Sequence, residues 1–150
     1  MPETIILGSD HAGFDLKEKV KKALDRLGVP HEDVGSQSTE PVDYPDYAHR
    51  VAEAVGTGRH TRGIVVCGTG IGVSMAANRH AGVRAAVAYD LETARLSREH
   101  NDANVLALGG RSLDHALAER ILEVWLKTPF AGGRHARRVE KIELPKTQPR

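Results

Sequence analysis

The run Ile64-Val65-Val66-Cys67-Gly68-Thr69-Gly70-Ile71-Gly72-Val73-Ser74 decides the fold. Its first four residues are apolar and read as a short buried strand. The glycines that follow end the strand and allow backbone amides to come close to a ligand. A helix is expected from about Gly72 to Asn78. The same order of strand, glycine and helix recurs on both sides. Thr4 to Leu7 ends in Gly8, and Leu16, Val20, Ala23, Leu24 and Leu27 then recur with helical spacing. Val83 to Ala88 leads into a helix beginning near Asp90. Asn104 to Leu108 stops at Gly109 and Gly110, before a helix whose apolar face is Leu117, Ile121, Leu122 and Trp125. His31 to Val34 reads as a weaker strand. Short apolar strands alternating with helices favour a parallel sheet covered on both faces. The expected fold is therefore α/β: a three-layer α/β/α sandwich, Rossmann-like, with a mostly parallel sheet of about five strands.

With 150 residues, 40% of them apolar and 27% charged, the chain has enough material for one core and is read as a single domain over 1–150. Residues 145–150 are read as a flexible tail, and Gly35 to Asp46, rich in Ser, Thr, Pro and Asp, as a long surface loop near the site. No apolar stretch approaches the roughly 20 residues that cross a bilayer. Met1, Pro2 and Glu3 run straight into a core strand without a signal segment, which points to a cytoplasmic protein. One cysteine makes neither an intrachain disulfide nor a cysteine-rich zinc site. The remaining histidines, His31, His49, His60, His80 and His115, lack metal-ligand spacing, so no metal and no role is assigned to them. A net charge of +1 gives no general attraction to nucleic acid. Basic residues do gather late, at Arg134, Arg137, Arg138, Lys141, Lys146 and Arg150, where something anionic can bind. No aromatic residue interleaves that cluster, which argues against RNA or DNA.

Ligands of such folds lie beyond the carboxyl ends of the strands, and three polar motifs are expected there. Gly8-Ser9-Asp10-His11-Ala12-Gly13 brings an acid and an imidazole together. Taken alone, Asp10 reads as a helix cap and His11 as a solvated turn residue. The amides around Gly68, Gly70 and Gly72 can hold a phosphate or stabilise an oxyanion, and sequence does not choose between these. A Walker loop would need Lys then Ser or Thr after its second glycine, and neither is there. Val73 stands where the dinucleotide fingerprint has its third glycine, leaving a nucleotide-binding module as a weak rival. Val73 also stands where a cysteine phosphatase carries arginine. Cys67 reads as a small buried residue or, given the helix dipole and nearby amides, as a nucleophile or proton acceptor. Arg98-Glu99-His100-Asn101-Asp102, ahead of the strand at Asn104, reads alone as a solvated helix end. Arg134 and Arg138 are four apart, so a helix would put both guanidinium groups on one face to clamp one phosphate.

In order and spacing from Gly8 to Arg138, these motifs resemble the ribose-5-phosphate isomerase B family, together with Asp43-Tyr44-Pro45 and the whole run Cys67 to Asn78. The resemblance covers almost the entire chain. It implies a cofactor-independent isomerase of the pentose phosphate pathway, interconverting ribose 5-phosphate and ribulose 5-phosphate through an enediolate. Allose 6-phosphate or another hexose 6-phosphate is the alternative substrate. The resemblance further implies Cys67 as the base between C1 and C2, Thr69 exchanging protons between the substrate oxygens, and His100 opening the sugar ring with help from Asp10. Amides from Gly68 through Gly70 and Ile71 to Gly72 would stabilise the enediolate, with Asn101 nearby. His11, Tyr44, Arg111, Arg134 and Arg138 would bind the phosphate. Cys67 with Val73 matches the branch that uses a cysteine rather than a glutamate in the glycine loop. A homodimer or dimer of dimers with active sites shared between subunits is implied as well.

Overall fold

The structure, a computed structural model, describes residues 3–145. Five strands, β1 (Ile5–Ser9), β2 (His31–Asp33), β3 (Gly63–Cys67), β4 (Ala85–Val87) and β5 (Val105–Gly109), alternate with helices. These are α1 (Phe14–Arg26), α2 (Tyr44–Gly56), α3 (Ile71–Ala77), α4 (Leu91–Glu99) and α5 (His115–Lys127), and α6 (Arg134–Glu140) ends the series. Every strand pair is parallel, in the order β2-β1-β3-β5-β4. The expected α/β sandwich is what forms.

The sheet has period-two sidedness, so each strand serves two cores. Ile5, Leu7, Ile64, Val66, Leu106 and Leu108 pack with α1, α4 and α5. Ile6, Val65, Cys67, Val105 and Ala107 pack with α2 and α3. In register, Gly63 lies beside Val105 at the amino end of the sheet and Cys67 beside Gly109 at the carboxyl end. The chain steps from β1 outward to β2 and then back past β1 to β3. The strand order therefore reverses between β1 and β3, and the crevice that such a reversal opens lies between the ends of Ser9 and Cys67.

The loop expected over Gly35 to Asp46 is shorter than read, because α2 begins at Tyr44 and continues to Gly56. That helix escaped the sequence reading. Its entry through Asp43 and Pro45 looks like loop, although Pro in a first turn costs no hydrogen bond. Its buried face, Ala48, Val51, Ala52, Ala54 and Val55, is built of small side chains that give a weak apolar signal. The strand read over Val83 to Ala88 shortens to Ala85–Val87, since the Arg84 amide is taken by the Asn104 side chain. Of the tail read at 145–150, all but Pro145 lies outside the described residues. Among the described residues no helix is long and apolar enough to cross a membrane.

Candidate active site

The expected site residues fall into two groups. The first lies at the crevice between β1 and β3. Asp10, buried just beyond β1, accepts the Gly13 amide at 2.9 Å and so closes the turn before α1 rather than capping the helix itself, whose N-cap is Gly13. His11 follows, and its Nδ1 accepts the Val42 amide at 3.1 Å. Cys67 ends β3, nearly buried, and its Sγ accepts the Gly70 amide at 3.3 Å. Thr69 Oγ1 accepts the Ile71 amide at 3.2 Å. Two amides of the expected anion cradle are thus already engaged by the side chains of their own loop.

Packing explains the glycines. Gly70 is left-handed at φ 82°, and a Cβ there would lie 3.0 Å from the Leu108 carbonyl carbon. A Cβ on Gly72 would stand 2.6 Å from the Tyr44 ring, so the tyrosine is seated directly on the glycine loop. The β5 end folds over as well: the Gly110 amide reaches the Cys67 carbonyl at 2.8 Å and the Arg111 amide the Gly68 carbonyl at 3.0 Å. The exposed Arg111 side chain passes within 3.8 Å of where a Gly68 Cβ would be. Asp10, His11, Tyr44, Arg111 and the loop from Cys67 to Gly72 therefore share one end of the sheet.

The second group, His100, Asn101, Arg134 and Arg138, lies elsewhere. Because α4 leaves the carboxyl end of β4 and leads into the amino end of β5, its last turn and His100 stand at the amino end of the sheet. The five residues of β5 alone separate the two ends by about 13 Å. This corrects the expectation that the Arg98–Asp102 motif joins the others beyond the carboxyl ends. Within that motif, Arg98 is bound to Asp102 at 3.0 Å and to the Ala103 carbonyl at 2.7 Å, and Glu99 pairs with Arg95. His100 and Asn101 remain, and with His135, Arg138, Val139 and Ile142 they line a recess of about 290 Å³. The His100 and His135 rings stack at 4.3 Å and 14°. Burial first, and then His100, Arg134 and Arg138 beside it, hold the His135 pKa below the usual 6.5 and so favour the uncharged ring. Arg134 and Arg138 sit one turn apart on α6, as their spacing requires.

Among the described residues no cluster of three or more His, Cys, Asp or Glu side chains is placed to hold a metal ion. A model of the ribose/galactose isomerase family matches residues 5–142. The chain belongs to the ribose/galactose isomerase family. It is 49% identical over 138 residues to ribose-5-phosphate isomerase B of Escherichia coli (strain K12), across 92% of this chain and 93% of that one. Its fold matches the ribose-5-phosphate isomerase B structure from Clostridium thermocellum at a TM-score of 0.91, with 52% identity over 93% of this chain and 94% of the other. The structure of a ribose 5-phosphate isomerase from Thermotoga maritima gives the same TM-score at 50% identity, covering 94% and 97%.

For this member of the ribose/galactose isomerase family, the sequence reading missed two participants. His135, between Gly133-Arg134 and Ala136, received no assignment, and its stacking partner is 35 residues away in the sequence. The Val42 amide carries no sequence signal, being a backbone group in a loop.

Proposed function

We propose that this isomerase interconverts ribose 5-phosphate and ribulose 5-phosphate, with Cys67 as the base. The observation that supports it most is the Cys67 thiol at the β1/β3 crevice, with an amide donor on its sulfur and His11, Tyr44 and Arg111 at the same end of the sheet, in a chain half identical to E. coli ribose-5-phosphate isomerase B. Starting from the open-chain aldose, Cys67 removes the C2 proton while negative charge passes to O1. Amides between Gly68 and Gly72 that Cys67 and Thr69 do not occupy receive that charge. Thr69 carries the proton between O2 and O1, and Cys67 returns its own proton to C1, leaving the ketose. A base at Cys67 is what membership of the cysteine branch of the family would require.

The division of the site supports a homodimer. Asp10, His11, Tyr44, Cys67, Thr69 and Arg111 at the carboxyl end of one sheet are completed by His100, Asn101, Arg134 and Arg138 of the partner subunit. A two-fold axis then makes two equal sites, each closed by the other chain's amino end. His100 of the partner subunit opens the sugar ring with Asp10. The phosphate sits between His11, Tyr44 and Arg111 on one side and Arg134 and Arg138 of the partner subunit on the other.

The deciding experiment is ribulose 5-phosphate formation from ribose 5-phosphate, without added metal or cofactor, by wild type and by Cys67→Ala. Turnover lost in the variant with its circular dichroism unchanged is expected. Turnover of allose 6-phosphate alone would change the substrate, and activity surviving in Cys67→Ala would remove the base.

A further inference from the structure

Lys17 is fully buried, and no step of the reaction uses it. It stands on α1 among Leu16, Val20 and Leu24, where an apolar residue would be expected. Its ammonium donates to both Asp33 oxygens, at 2.7 and 2.6 Å, and to the Ser36 carbonyl at 2.7 Å. Such complete pairing is what a buried ammonium requires, yet an apolar side chain of similar volume commonly packs there as stably. Stability alone therefore does not call for lysine.

The contacts show what the charge holds. Asp33 is the last residue of β2, and its carboxylate also accepts the Gly35 amide at 2.9 Å. Gly35 and Ser36 grip β1 just before Asp10: the Ser9 amide reaches the Gly35 carbonyl at 2.8 Å and the Ser36 amide the Ser9 carbonyl at 2.7 Å. Farther along the same loop, the Val42 amide donates to His11 Nδ1 at 3.1 Å. A neutral imidazole that accepts at Nδ1 carries its hydrogen on Nε2, where it can donate to an anion.

We propose that Lys17 is a positioning residue: by clamping Asp33 and Ser36 it sets the loop that fixes His11 as the Nε2–H tautomer facing the substrate phosphate. The inference rests on the assignment of His11 to the phosphate made above. Lys17 acts only through Asp33, the loop and His11, and it touches no substrate.

The first test needs no variant. Nitrogen-15 shifts of the His11 ring in the wild-type protein should show Nδ1 bare and Nε2 protonated in the neutral form, whichever sugar the enzyme turns over; a protonated Nδ1 overturns the proposal. Lys17→Met should then raise the Kd for inorganic phosphate, followed by amide shifts, roughly tenfold, the effect of about one charge-assisted hydrogen bond. It should raise the KM for ribose 5-phosphate alike and change kcat less than about twofold. Added to His11→Ala, it should weaken phosphate binding no further. Unchanged phosphate affinity with a lowered Tm, or a further loss in the His11→Ala background, would assign Lys17 to packing alone. Should Lys17→Met not fold, Asp33→Asn, which keeps a side-chain acceptor for Gly35, is to give the same pattern. A wild type that isomerises no sugar phosphate would count against the proposed function only, because the tautomer and the phosphate Kd are read without turnover.

Discussion

Gly72 and Tyr44 show how tightly the crevice is built. Since a Cβ at 72 would meet the Tyr44 ring at 2.6 Å, Gly72→Ala should displace the tyrosine, weaken substrate binding and cost about 1–3 kcal/mol. Denaturant melts of Gly72→Ala with and without Tyr44→Ala check this: removing the ring should restore the stability and leave the affinity low. Asp33 sets an acid limit at the same scale. Burial works to raise its pKa, but hydrogen bonds from Lys17, Lys21 and the Gly35 amide outweigh that and hold it below the ordinary 3.8. A carboxylate with a depressed folded pKa contributes stability above its unfolded value and loses it as pH falls through the folded one. The Asp33 contribution is therefore complete above 3.8 and disappears below it, so urea melts of Asp33→Asn and wild type should converge as pH drops under that value. Cys67 and Asp10 were legible from sequence because glycines and strand ends surround them. Lys17 was not, since a lysine on an amphipathic helix reads as a solvated charge until its three hydrogen bonds to Asp33 and Ser36 are seen.

Among the elements, α4 ends at its C-cap His100 and depends on its first turn. The Asp90 side chain accepts the Thr93 amide at 2.7 Å while the Thr93 hydroxyl accepts the Asp90 amide at 3.3 Å, a reciprocal capping box. Asp90→Ala should lower Tm by roughly 2–4 °C, checked by calorimetry. The Thr93 backbone hydrogen bond first, and its hydroxyl second, keep the Asp90 pKa under 3.8, so the gap between variant and wild type should narrow below that pH. The alternation of strand, glycine and helix made β1, β3, β5 and their helices readable. The α2 helix was not, because alanines and a proline-led start hide its periodicity. The place of the His100 motif follows from a rule of parallel sheets: a helix that leads into a strand ends at that strand's amino end. Reading the motif only by its nearness to Asn104 put it at the wrong end.

For the whole molecule, the decisive feature is that the two groups of expected site residues stand at opposite ends of one sheet. Cys67→Ala and His100→Ala proteins should each be inactive as homodimers. Unfolded together and refolded as an equal mixture, they should recover about a quarter of wild-type activity, because half the dimers are mixed and each has one intact site. No recovery would mean that a single chain supplies both groups. Ends of a sheet about 13 Å apart along β5 cannot be drawn together by side-chain motion, so the proposed shared site needs its second group from another copy of the chain.

A dimer that shared its sites in the proposed way would tie its output to its own abundance. Below the dissociation constant of the pair, specific activity should fall on dilution even though every chain remains folded, and crowding or high expression should restore it. In a pair of one sound and one damaged chain, a lesion in either group would silence one of the two shared sites and spare the other. A compound that kept the two chains apart would inhibit without resembling a sugar at all.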